Sequence, residues 1–138
     1  MNAIILAGGR GKRLKPITDY VPKSLIPLDN IPIIEWQIRY LKKFRVNTII
    51  ICTGYKTEQI ENYLKIKNNF GVKIIFSKEK IPLGTAGAIK QAAKHIKEKS
   101  FFVLNGDIIT NIDIRKLQKK AKFYCSNSIK NKIWNNRN

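Results

Sequence analysis

Four short apolar runs, closed by turn residues and separated by stretches of helical spacing, restrict this chain more than any other feature. Residues 2–7 (NAIILA) and 48–52 (TIIIC) are unbroken aliphatic or β-branched segments, followed by Gly8 and by Gly54. Runs without a polar face suit strands that are buried on both sides. Residues 72–76 (VKIIF) and 101–104 (FFVL) read as a third and a fourth strand, the last ended by Asn105-Gly106-Asp107. Between them, Ile34, Ile38, Leu41 and Phe44 recur near helical spacing over 33–44, and Ile60, Tyr63 and Leu64 share a face over 57–67. An alanine-rich helix is expected over 85–96 with Thr85 as its N-cap, and a last helix over 112–121. This alternation predicts an α/β fold, a Rossmann-like three-layer αβα arrangement around a mostly parallel sheet. Ligands of such sheets sit beyond the carboxyl ends of the strands. The glycines after the first strand and Asp107 after the fourth should therefore face one crevice.

The length, 138 residues, suits one domain, and a hydrophobic fraction of 43% supplies a core. Residues 123–138 (FYCSNSIKNKIWNNRN) are rich in Asn and Lys, lack acidic residues and show no period. The folded domain is thus expected over 1–122, with a divergent basic tail at 123–138. No apolar run approaches the roughly 18 residues of a membrane span. A secretory leader would place its charges before the apolar stretch, whereas here Arg10 follows it, so a cytoplasmic location is expected. Cys52 reads as a small buried hydrophobe, and with Cys125 it has no metal-type spacing and suggests no disulfide framework. His95 reads as a surface residue late in its helix.

A net charge of +18 has three readings: a polyanionic ligand such as a triphosphate, nucleic acid, or a solvated lysine-rich surface. The lysines are spread along the chain, so the glycine region uses only a few of them. There, Leu6-Ala7-Gly8-Gly9-Arg10-Gly11-Lys12-Arg13-Leu14 combines a permissive backbone, whose N–H groups can cradle an anion, with flanking cations. It is not a P-loop, because Arg13 follows Lys12 where Ser or Thr is required. Nor is it a dinucleotide fingerprint, because Leu14 fills the place of a small residue. Lys23, between Pro22 and Pro27, is a compact charge on a stiff backbone, suited to a phosphate. Gly84 and Gly87 bracket a helix start, where free N–H groups suit a polar or anionic ligand. Asp107 beside a triphosphate is a natural Mg²⁺ ligand, since that ion takes one or two carboxylates plus phosphate oxygens. Taken singly, each of these segments is equally a turn, a cap or a solvated charge.

Together, LAGGRGKRLKPIT, PKSLIPL, EKIPLGTAGAI and NGDI, in this order over roughly residues 1–120, resemble the sugar-phosphate nucleotidyltransferase family. The resemblance implies attack of a sugar 1-phosphate oxygen on the α-phosphate of a nucleoside triphosphate, releasing pyrophosphate. It implies that the backbone of Leu6, Ala7, Gly8 and Gly9 lies against the nucleotide, that Gly11 lets the loop wrap the phosphates, and that Lys12 is among the nucleotide-binding residues. Arg13 would neutralise the departing pyrophosphate, Lys23 would hold the α-phosphate or the sugar phosphate, and Asp107 would bind Mg²⁺. Glu79, Gly84 and Thr85 fall in the base-binding segment. Glu79 stands where many uridylyl and thymidylyl members of the family carry Gln. An ionised carboxylate only accepts, which matches the adjacent N1–H and 2-amino donors of guanine. GTP is therefore the expected nucleotide.

The resemblance ends before the part of the family that supplies the sugar pocket and a second metal-binding aspartate. The chain is accordingly expected to be truncated relative to the family, to bind nucleotide weakly and to have low or absent transferase activity by itself. An exposed sheet edge would invite homo-oligomerisation. A non-catalytic nucleotide-binding or regulatory module is the competing reading. A specific nucleic-acid binder is disfavoured, because no recognised motif or aromatic stacking surface is present.

Overall fold

A computed structural model describes residues 1–119. Its centre is a wholly parallel sheet made of β1 (Asn2–Leu6), β4 (Thr48–Thr53), β5 (Lys73–Lys78) and β6 (Phe101–Asn105), in the order β5-β4-β1-β6. The register is flush: Leu6 lies opposite both Cys52 and Asn105, and Thr53 lies opposite Lys78. All four strands therefore end along one rim.

Side chains alternate across these strands, so each apolar run feeds two cores. Ala3, Ile5, Ile49 and Ile51 face α2 (Ile33–Lys43) and α3 (Thr57–Ile66), meeting Ile34, Ile38, Leu41, Ile60 and Leu64. Ile4, Ile50 and Cys52 point the other way, onto Ala88 and Ala92 of α4 (Gly84–Ala93). The expected three layers are thus present. The small alanines let α4 lie close over β1 and β4. Each fully buried isoleucine contributes roughly 1.5–3 kcal/mol over an exposed one. The central strands β1 and β4 are buried except at Leu6 and Thr48, which are partly buried, whereas β6 is not: Val103 is 42% exposed on the face that α4 leaves open.

Three expectations are corrected. Thr85 is not the cap of α4. The helix starts at Gly84 after Leu83, without a side-chain cap, and the Leu83 N–H donates to Glu79 Oε2 at 3.0 Å. The same helix ends at Ala93, before the expected 96, which leaves His95 exposed just beyond it. The last helix starts at 114 rather than 112 and continues to the end of the described residues. Cys125, the boundary at 122 and the tail lie outside them. Among the elements that the pattern does not show are the one-turn helix α1 (Ile17–Tyr20), three short 3₁₀ turns, and an antiparallel ribbon of β2 (Pro27–Leu28) and β3 (Ile31–Pro32). Its two turn residues, Asp29 and Asn30, have φ of 50° and 59°, as a tight primed hairpin requires. Among the described residues no helix is long and apolar enough to cross a membrane.

Under α2 a polar knot ties the helices together. The buried Glu35 carboxylate accepts from the Tyr63 hydroxyl and the Arg39 guanidinium. Burial pushes the Tyr63 hydroxyl up to about 12, and the accepting Glu35 carboxylate adds to the rise.

Candidate functional site

The strand order reverses at β1. The chain leaves β1 toward β4 and β5 with α2 and α3 on one face, then returns to β6 with α4 on the other. The loops after β1 and β6 must therefore part in opposite directions, and a crevice opens between them.

The backbone closes the floor of that crevice. Gly106 N–H donates to Leu6 O at 2.8 Å, and Ala7 N–H donates to Cys52 O at 2.8 Å. Gly106 fits only because it has no side chain: a Cβ there would stand 2.5 Å from Leu6 O and 3.1 Å from Ala7 Cα. Past Gly9 the loop turns through Gly11, at φ 62°, into a single 3₁₀ turn over Lys12–Leu14. That left-handed conformation favours glycine, and a Cβ would also meet Thr18 Cγ2 at 2.9 Å. Buried Thr18 secures the turn by donating its hydroxyl to Gly11 O at 3.0 Å.

The resulting cavity has a volume of about 680 Å³ and lies at the carboxyl rim of the sheet. Every residue expected at the site lines it: Leu6, Ala7, Gly8, Gly9, Gly11, Lys12, Arg13, Lys23, Glu79, Gly84, Thr85 and Asp107. Leu14, Ser24, Pro82, Ala88, Asn105 and Gly106 line it as well, and were not singled out. Leu14, Ser24 and Gly106 are immediate neighbours of chosen residues, so adjacency was the available signal for those three. Ala88 follows from helical spacing, one turn beyond Gly84. Arg10 does not line the cavity; its guanidinium lies over the Tyr55 ring at 5.8 Å.

Lys23 and Asp107, 84 residues apart, meet across the opening with Nζ to Oδ2 at 2.5 Å. The Lys23 ammonium holds the Asp107 carboxyl below the usual carboxylate range; partial burial opposes this, and Arg13 adds a smaller pull in the same direction. Asp107 is therefore an anion that faces cations. Glu79 sits at the end of β5, where its N–H donates to Thr53 O at 2.7 Å. Its Oε2 accepts from Leu83, while Oε1 lies over Gly8, 2.7 Å from where a side chain would start. The carboxylate thus bridges the loop that enters α4 and the loop that leaves β1. Beneath Asp107, the buried amide of Gln37 in α2 donates to Asn105 O at 2.7 Å and to Ile108 O at 2.8 Å. No sequence signal marked Gln37, which like Glu35 is a polar residue beside an apolar helical stripe.

Lys12, Arg13 and Lys23 against Glu79 and Asp107 make a cleft that can hold a polyphosphate on its cationic lip and a metal-bound phosphate at Asp107. Among the described residues no three His, Cys, Asp or Glu side chains gather as a preformed metal cage. What the cleft offers an ion is the single Asp107 carboxylate beside its cations, and one carboxylate is compatible with Mg²⁺, which takes one or two of them plus phosphate oxygens.

A family profile described as nucleotidyl transferase matches residues 2–132. The chain is 43% identical over 125 residues to the D-glycero-alpha-D-manno-heptose 1-phosphate guanylyltransferase of Campylobacter jejuni, covering 91% of this chain and 56% of that protein. It is 40% identical over 136 residues to mannose-1-phosphate guanyltransferase 2 of Candida glabrata, covering 96% and 37%. The crystal structure of HddC from Yersinia pseudotuberculosis complexed with GMP-PN superposes with a TM-score of 0.80 at 35% identity, over 87% of this chain and 53% of that one. The chain thus spans about half the length of the heptose-phosphate relative and less of the yeast one.

Proposed function

The chain belongs to the nucleotidyl transferase family, and we propose from that premise that its cleft binds a nucleoside triphosphate, GTP in preference, for transfer of a nucleotidyl group to a sugar 1-phosphate. One observation carries the reading: the cationic loop after β1 and the Asp107 carboxylate after β6 converge at the point where the strand order reverses, joined by the Lys23–Asp107 contact.

In the proposed reaction an oxygen of the sugar phosphate forms a bond to the α-phosphorus. The bond from that phosphorus to the bridging oxygen breaks, and its electron pair leaves with pyrophosphate. The chain needs no nucleophile of its own, so its residues work by holding and by neutralising charge. Arg13 and Lys12 lie on the rim that the β- and γ-phosphates would occupy, and charge accumulates there as pyrophosphate separates. Lys23 exchanges its contact with Asp107 for a phosphate oxygen, which frees the carboxylate. Asp107 is the side chain that would hold Mg²⁺, which would supply additional neutralisation of phosphate charge. Glu79, fixed between Gly8 and Leu83, presents acceptors only, matching the paired donors of guanine. The guanylyltransferase relatives and the GMP-PN complex of the Yersinia protein support this choice of base.

Titration calorimetry of GTP, UTP and dTTP, with and without Mg²⁺, tests binding. Pyrophosphate release with mannose 1-phosphate and heptose 1-phosphate, with an Asp107→Ala control, tests transfer. Binding of no triphosphate overturns the proposal. Binding without release leaves the nucleotide site standing and refutes transfer by this chain.

A further inference from the structure

Asp107 stands on a turn that the sheet does not hold. β6 ends at Asn105, the last ladder-like bond is made by Gly106, and Asp107, Ile108 and Ile109 are all exposed. Within the turn, Ile108 N–H reaches Asn105 O at a long 3.2 Å. Left to itself, such a turn would let the carboxylate swing through several orientations.

Gln37 is the buried side chain beneath it. The residue is 2% exposed, and its Nε2 donates to the carbonyls on both sides of Asp107, those of Asn105 and Ile108. Both acceptors are carbonyls, so only the NH₂ end of the amide satisfies them and the side-chain orientation is fixed by chemistry. Its Oε1 is buried with no hydrogen-bond partner among the described residues. A buried acceptor without a partner lowers stability. The amide is therefore a poor choice for packing, and what it supplies is the two-point clamp.

We propose that Gln37 is a positioning residue: its two hydrogen bonds lock the Asn105–Ile108 turn so that the Asp107 carboxylate faces Lys23 and the nucleotide cleft. The ligand consequence rests on the triphosphate reading above; the clamp itself does not.

The test uses Gln37→Met, which keeps length and apolar volume and removes both donors. In the ligand-free chain, amide hydrogen exchange at Gly106 and Ile108, the turn's two hydrogen-bonded amides, should quicken roughly tenfold, the scale of a lost buried hydrogen bond. Protection in β1 and β4 should be unchanged. Unaltered exchange at the turn, or an equal rise across the whole sheet, overturns the proposal. In calorimetry, Gln37→Met should reduce the Mg²⁺-dependent gain in GTP affinity by about fivefold or more and leave affinity in EDTA within about twofold. A full gain retained by the variant, where Asp107→Ala loses it, also overturns the proposal. If the unmodified chain binds no GTP in either condition, the nucleotide reading falls and exchange alone decides the clamp. Gln37→Asn, which keeps the amide but is one methylene too short to span both carbonyls, is the second variant should Gln37→Met fail to fold. It should show the same local quickening.

Discussion

Gly106→Ala gives the most direct access to how the sheet builds the site. The new Cβ would lie 2.5 Å from Leu6 O and 3.1 Å from both Leu6 C and Ala7 Cα. Ordinary carbon–oxygen contacts between strands are about 3.3–3.6 Å, so close to 1 Å of movement is required. The opposing atoms are backbone of the central strand, which is hydrogen-bonded on both sides and cannot yield like a flexible side chain. Relief must come from lifting the end of β6 off β1. That breaks the Gly106–Leu6 hydrogen bond of 2.8 Å, about 1 kcal/mol, and adds an overpacking cost of roughly 1–3 kcal/mol. A total of about 2–4 kcal/mol corresponds to a fall in Tm on the order of 10 °C for a chain of this size. Because Asp107 is the next residue, the Mg²⁺-dependent part of GTP affinity should fall with it. Thermal melts followed by circular dichroism, with calorimetry of GTP, measure both. The control is Gly9→Ala, where a Cβ meets nothing within 4 Å and φ is not positive, so Tm should hold or rise slightly. A Gly106→Ala chain with Tm within about 2 °C of the parent would refute the close approach of β6 to β1.

Three other outcomes are expected. Arg13→Ala should weaken GTP binding by roughly 10- to 100-fold, as befits a lost charge-assisted contact, and weaken GMP far less; equal losses in calorimetry would remove Arg13 from the terminal phosphates. Glu79→Gln should lower GTP affinity about tenfold and narrow the preference over UTP and dTTP, and an unchanged ratio would sink the assigned base contact. Tyr63 is the pH probe. Its hydroxyl titrates near 10 when unfolded and is raised to about 12 in the fold. The folded state thus holds this proton more tightly, and the stability it contributes is complete below pH 10 and is lost as pH rises toward 12. Tyr63→Phe should be less stable than the parent at pH 8, with the gap closing by pH 12; a gap constant in pH would refute the raised titration that burial and, secondly, Glu35 impose on this hydroxyl.

Much of this protein could be read from its one-dimensional pattern. The strands 2–6, 48–53, 73–78 and 101–105 were legible to within two residues, because an apolar run between turn residues is a local signal that burial on both faces does not override. The site was legible for a related reason. In a parallel sheet with flush register, whatever follows each strand falls on one rim, so motifs after β1, β5 and β6 share a cleft once the strands are named. Other features depended on which strands became neighbours. The Lys23–Asp107 contact, the seat of Gly106 on Leu6 and the reach of Gln37 beneath Asp107 all exist because β6 returned to the far side of β1. Capping was decided the same way: Thr85 had the right chemistry, but Gly84 begins the helix and Glu79, arriving on β5, takes the Leu83 N–H that precedes it. Sequence alone fixes what neighbours along the chain do to one another, through periodicity, turn chemistry and steric limits on the backbone. Contacts across scores of residues depend on strand order and register, and these are settled only when the whole apolar surface is buried at once.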